Sequence, residues 1–168
     1  MDLAQIKQDL ETQIFFAEWK GQHQTAYLAH FFITSESEVQ VGYYEAKTDT
    51  IWTFTPGQEL ITEDKEIFKE QKTIAELDLS TVHFSLNEAQ ERALQFQKEK
   101  YLGDPISKQI IVLQNREEKT IYNMTLITLT FKMLNLRIDA TNGVIIYEKM
   151  QPIMDFVQTI EGKKKEGV

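Results

Sequence analysis

Residues 134–147, Leu-Asn-Leu-Arg-Ile-Asp-Ala-Thr-Asn-Gly-Val-Ile-Ile-Tyr, constrain this chain more than any other stretch. Apolar and polar residues alternate on either side of Asn142-Gly143, a pair that offers the two positive-φ positions of a two-residue type I′ turn. A period of two puts Leu134, Leu136, Ile138 and Ala140 on one face and Asn135, Arg137 and Asp139 on the other. Ile145 and Tyr147 are expected to continue the apolar side beyond the turn. A lone hairpin is marginal in water, so the rest of the chain must supply the strands and helices that it packs with.

The best-punctuated helix lies just upstream. Ser85-Leu86-Asn87-Glu88 is a capping box, in which the Ser85 hydroxyl accepts from the amide three residues on and Glu88 reaches back to the Ser85 amide. Phe84 and Ala89 stand at the staple positions. Leu86, Ala89, Ala93, Leu94, Phe96 and Tyr101 make the apolar stripe, and Gly103-Asp104-Pro105 stops the helix. Strands over 106–113 and 120–131 follow, joined by a polar turn at 115–119. Residues 82–150 therefore read as a helix followed by an antiparallel meander.

The first 57 residues repeat that order. Leu3, Ile6, Leu10, Ile14 and Ala17 recur at helical spacing and predict one helix from Asp2 to Lys20, with Gly21 as its left-handed cap. Residues 26–33 are apolar on both faces and read as a buried strand. A polar turn over 34–38 leads to a second hairpin, with Val39, Val41 and Tyr43 on one arm, residues 51–54 on the other, and Pro56-Gly57 at its end. Residues 58–81 are a connector in which a short helix is expected, and its charge run Glu63-Asp64-Lys65-Glu66 reads as a solvated face. A short C-terminal helix over 151–161 starts at Pro152, with Ile153, Phe156, Val157 and Ile160 at helical spacing, and 162–168 forms a flexible tail. The expected fold class is α+β: two helix-plus-antiparallel-meander units, a tandem repeat of organisation, packed helix to helix or through joined sheets.

Composition removes whole classes of function. A formal charge of −8, with no Lys/Arg cluster on a plausible reading face, argues against nucleic acid as a partner. The absence of cysteine excludes disulfides, thiolate zinc sites and a cysteine nucleophile. No window approaches the roughly 18 apolar residues of a membrane span. The N-terminus has no apolar stretch behind a basic start, which reads as cytoplasmic; removal of a leader would make the setting extracytoplasmic.

His23, His30 and His83 share no metal-ligand spacing, and no phosphate loop, nucleophile elbow or dinucleotide fingerprint exists. No catalytic residue, metal or cofactor is expected. Asp139 reads as an acceptor of backbone amides at a strand end rather than as a catalytic acid. With Asn142, Gly143, Ser85 and Glu88 it belongs to turns and caps.

Tyr27, Phe31, Phe32, Tyr43, Tyr44, Trp52 and Phe54 form the richest aromatic concentration. Adjacent strand residues point to opposite faces, so Tyr43 and Tyr44 cannot both enter one core, nor can Phe31 and Phe32. Some of these rings must line a second surface. Tyr43, Tyr44, Trp52 and His30 are its candidate residues for a ligand or partner.

The order Ser85-Leu86-Asn87-Glu88-Ala89, two strands, then Ile138-Asp139-Ala140-Thr141-Asn142-Gly143-Val144-Ile145 resembles the PepSY domain. The likeness covers residues 82–150, and only the order of elements extends it to residues 1–55. Asn142 stands where that family usually has Thr. The resemblance implies cystatin-like units and a role in inhibiting or regulating peptidases, in secreted or membrane-anchored settings. The expected function is a non-catalytic binding or regulatory module, acting on a protein partner or by self-association through a sheet face or an edge strand. One alternative is a small-molecule pocket or modest enzyme in the concavity of a curved sheet beside His30. Another is a structural assembly domain pairing edge to edge.

Overall fold

A computed structural model describes residues 1–34, 39–59, 61–64 and 74–155. The first half runs α1 (Leu3–Glu11), α2 (Ile14–Gln22), β1 (Tyr27–Thr34), β2 (Val39–Glu45), β3 (Thr50–Phe54) and β4 (Ile61–Asp64). The second runs α3 (Leu86–Lys100), β5 (Ile106–Arg116), β6 (Lys119–Thr128), β7 (Lys132–Asp139) and β8 (Ile145–Pro152). All the strands join one antiparallel sheet in the order β4-β3-β2-β1-β5-β6-β7-β8. The class is α+β. Each half contributes a meander running outward from the central β1–β5 pair, where Phe31 faces Leu113 and Ile33 faces Ile111.

The helices lie on one face of that sheet, because only there do apolar residues line up across every strand. Phe54, Val41, Phe31, Leu113, Tyr122 and Ile138 are successive cross-strand partners from β3 to β7, and each is 0% exposed. Burying one such side chain stabilises by about 1.5–3 kcal/mol. Leu10 of α1, Phe16 and Trp19 of α2, and Leu86, Ala89 and Ala93 of α3 cover this row from above. Ala89 and Ala93, both fully buried, present so little side chain that α3 lies close against the sheet.

The expected single N-terminal helix is two. Gln13 takes an extended conformation (φ −73°, ψ 140°), while the Thr12 hydroxyl and the Gln13 side-chain Nε2 both donate to the Asp9 carbonyl, at 2.8 and 3.2 Å. The break changes the phase of the buried stripe. Ile14 is 79% exposed, whereas Phe16 and Trp19 are buried; exchanging Ile and Ala for two aromatic rings removes more apolar surface from water. Gly21 is not the cap. The helix continues to Gln22, and the Lys20 ammonium donates to the carbonyls of His23, Gln24 and Ala26 beyond its end.

The helix expected in the connector is also corrected over its described residues. Residues 61–64 form edge strand β4, pairing Ile61 with Phe54 and Glu63 with Trp52; a short acidic strand suits a sheet edge because its charges discourage further pairing. A 3-10 turn occupies Leu79–Thr81, and residues 65–73 lie outside the described residues, as do 35–38 of the expected polar turn. The connector then ties strand ends together: the Leu77 amide donates to the Leu28 carbonyl at 2.8 Å, and the His83 and Phe84 amides donate to the Ala140 carbonyl at 3.0 and 2.8 Å. Pro152 belongs to β8, and a helical turn begins at residues 153–155; the rest of the expected C-terminal helix and the tail lie outside the described residues.

Two turns depart from expectation. Asp139 closes on Val144 through an amide-to-carbonyl bond of 2.9 Å, and the Gly143 amide donates to the Asp139 carbonyl at 2.8 Å. The loop thus holds four residues, and Gly143 (φ +74°) supplies its positive φ while Asn142 does not. The wider loop follows from the connector: Ala140 gives its carbonyl to His83 and Phe84, and the Phe84 ring sits where a Cβ on Gly143 would be, 2.6 Å away. The two-residue turn with both φ values positive occurs instead at Glu117 (+52°) and Glu118 (+64°), between the paired Arg116 and Lys119. Past the β7–β8 loop a register shift places Ile145 opposite Ile138 and Tyr147 opposite Arg137. Tyr147 therefore leaves the apolar side on which it was expected.

Candidate binding surface

The sheet divides the four candidate residues between its faces. Tyr43 and Trp52 are cross-strand partners on the helix side. They belong to an aromatic cluster in which the Trp19 ring lies 5.7 Å from Tyr43, 6.1 Å from Trp52 and 4.8 Å from Phe54. The Tyr43 hydroxyl donates to Glu11 at 2.9 Å, and burial together with that carboxylate pushes its pKa far above the ordinary tyrosine range. His23 stacks on Trp19 at 5.0 Å, lies 4.5 Å from Trp52, and places Nδ1 2.9 Å from Glu45. The His23 hydrogen bond, the largest influence, holds the Glu45 carboxyl below its ordinary value. The Nε1 atoms of Trp19 and Trp52 are buried without a hydrogen-bond partner.

Tyr44 and His30 lie on the opposite face. The Tyr44 hydroxyl donates to Asp49 at 2.6 Å, and its ring meets Tyr27 edge-on at 5.7 Å. His30 pairs with Gly42 and lies flat over it: a Cβ at Gly42 would be 2.2 Å from Cε1 of the imidazole. Burial lowers the His30 pKa to about 4, so the ring is neutral at physiological pH. The two pairs of residues do not converge. A cavity ringed by His30, Tyr44 and Trp52 is not formed, because Trp52 is on the other side of the sheet.

The turn and cap residues form local bonds. Glu88 accepts from the Ser85 amide at 2.7 Å while its own amide donates to the Ser85 hydroxyl at 3.3 Å. Asp139 accepts the Thr141 amide at 2.8 Å, and Asn142 the Val144 amide at 3.0 Å. Among the described residues no group of three or more His, Asp or Glu could hold a metal ion. A groove of about 770 Å³ between α1 and residues 76–80 is lined by Lys7, Glu11, Glu76 and Asp78 with Leu28 at its floor.

The face carrying Tyr44 and His30 is covered by none of the described helices. Its centre is a cross-strand row that the sequence reading did not assemble: Tyr147, Arg137, Asn123, Val112 and Phe32, running from β8 to β1. Phe32, Val112, Asn123 and Arg137 are half-buried. In the next row the Thr125 hydroxyl donates to Asn135 at 3.0 Å. The Arg137 guanidinium carbon lies 4.5 Å from the centroid of the Tyr147 ring, and Arg137 Nε is buried without an acceptor among the described residues. The alternation in residues 134–139 marked Arg137 as facing away from the core, which is the one local signal of this site.

No family model matches the chain, and no curated protein matches it. The crystal structure of a "putative lipoprotein" from Clostridium difficile 630 has a similar fold, with a TM-score of 0.54 at 12% sequence identity. The match covers 87% of this chain and 97% of that one, so the likeness extends over both meanders and not only residues 82–150. No helix among the described residues is long and apolar enough to cross a membrane.

Proposed function

We propose that the chain is a non-catalytic binding module whose working surface is the helix-free face of the sheet. The observation that supports this reading is the composition of that face. Phe32, Ile110, Val112 and Ile127 lie half-buried there beside Asn123, Thr125 and Arg137, with none of the described helices above them. Apolar surface of this kind gains free energy when a partner covers it. The mixture of apolar side chains with amides and an arginine is typical of protein–protein contact. The PepSY-like motif adds regulation of a peptidase as the form such binding takes.

A photo-crosslinking side chain at Val112, with a control at exposed Ala17 of α2, tests the reading in the cells that make the protein. A discrete adduct from position 112 and none from 17 is the expected result. Equal labelling from both positions, or none from 112, would sink it. Sedimentation velocity over a concentration series separates a second copy of the chain from a different partner.

A further inference from the structure

The row at the centre of the open face indicates which chemical group a partner presents to it; this inference rests on that face being the working surface. Arg137 is the key residue. A guanidinium keeps its charge at any physiological pH and has five N–H donors to satisfy. Yet among the described residues Arg137 has no ion pair, and its Nε is buried with no acceptor. Other cations of this acidic chain are matched, Lys7 with Glu11, Lys100 with Glu148 and Lys132 with Asp104. The carboxylate nearest along β7 on this face, Asp139, is turned to the Thr141 amide instead. Lys149, opposite Asn135 in the neighbouring row, adds a second positive charge to the same surface.

Stacking on Tyr147 fixes the plane of the guanidinium, and a fixed fork matches a carboxylate in two parallel hydrogen bonds. From Arg137 the row leads through Asn123 to Val112 and Phe32. At about 4.8 Å per strand, Val112 is roughly 10 Å and Phe32 roughly 14 Å away. That separation spans three to four residues of an extended peptide. We infer that Arg137 anchors a carboxylate of a partner polypeptide, whose neighbouring apolar side chains lie across Val112 and Phe32 while Asn123 bonds the intervening backbone.

The test uses acetyl-Phe-Ala-Val-Ala-Glu-amide, in which Phe, Val and Glu share one face of an extended chain, and its Gln counterpart, titrated into the full chain with two-dimensional amide NMR as the readout. The Glu peptide should shift the Val112, Asn123 and Arg137 amides, and the Gln peptide should bind about five-fold more weakly, the range of one partly screened charge pair. Arg137→Gln should abolish the difference, and Arg137→Lys should restore only part of it. Equal binding of the two peptides, a difference that survives Arg137→Gln, or the lack of any shift in the row would overturn the inference. Sodium decanoate is the third arm: if it alone titrates the row, the ligand is a fatty carboxylate and the polypeptide is ruled out. Crosslinking from position 112 that persists in Arg137→Gln, with a failed titration, would remove this inference and leave the working face intact.

Discussion

Gly42→Ala isolates a place where the sheet is built on a missing side chain, beneath the buried His30 ring. An added Cβ would stand 2.2 Å from Cε1, 2.6 Å from Nε2 and 2.7 Å from Nδ1 of His30. Carbon contacts settle near 3.5–4.0 Å. Three ring atoms are violated at once, so the imidazole as a whole must leave. Turning it off its rotamer costs about 0.5–1.5 kcal/mol, and overpacking of this kind typically costs about 1–3 kcal/mol. Replacing glycine in a strand returns roughly 0.5–1 kcal/mol through the unfolded state. The net expectation is a loss of about 2 kcal/mol.

Urea unfolding of Gly42→Ala, His30→Ala and the double variant measures this directly. With the ring gone, the three atoms that crowd the new methyl are removed, so Gly42→Ala in the His30→Ala background should be neutral or stabilising by about 0.5 kcal/mol. The coupling between the two positions should therefore be about 2–3 kcal/mol, the upper range for residues in contact. Effects that add to within about 0.5 kcal/mol would refute the reasoning, because they would mean that the ring does not occupy the space over Gly42.

Acid titration probes the same ring. His30 is lowered from 6.5 to about 4 by burial, so between those values the unfolded chain binds a proton that the folded one refuses. Its contribution is intact above pH 6.5 and is lost as the pH falls toward 4, by up to about 3 kcal/mol; His30→Gln should remove that slope, and an unchanged slope would exclude His30 as its source. Replacing Glu117-Glu118 with Asn-Gly should raise stability by about 1–2 kcal/mol, since both residues hold positive φ without the means to do so cheaply. In a chain of this size that is a rise in Tm of roughly 2–4 °C per kcal/mol, and a fall in Tm would contradict the turn geometry. Ser85→Ala should cost about 1 kcal/mol in thermal unfolding through the lost cap of α3, whereas Ser107→Ala, at an exposed hydroxyl, should cost little.

What the sequence disclosed was local. The capping box at Ser85 and Glu88 is complete within four residues, and the β2–β3 hairpin follows from alternation, so both could be read from the chain. The break at Thr12 and Gln13 could not, because Ile14 and Ala17 preserve the helical period through it. Only the packing of Phe16 and Trp19 against Tyr43 and Phe54 favours the other phase. The loop before Val144 is four residues because Ala140 is claimed by amides some sixty positions earlier, and no property of Asn142-Gly143 records that. For the candidate surface, alternation separated Tyr43 from Tyr44 but could not say which other strands lay beside each. Arg137 escaped notice for a related reason: lacking a counter-ion is a property of the assembled sheet, not of a residue.

The junction between the halves carries both long rows of the sheet. Both the buried row from Phe54 to Ile138 and the open row from Phe32 to Arg137 cross the β1–β5 pair. Phe32 belongs to the first meander, whereas Val112, Asn123 and Arg137 belong to the second. Neither meander alone carries both Phe32 and Arg137, so the row that joins them exists only where the sheet is continuous. Splitting them would also bare the edge of β5, eleven residues long and apolar on both faces at Ile110, Ile111, Val112 and Leu113, which is the kind of edge that recruits another strand. The described strands of both halves lie in one continuous sheet. Its central pair both closes the core and sets the spacing between the ring and the cation on the open face.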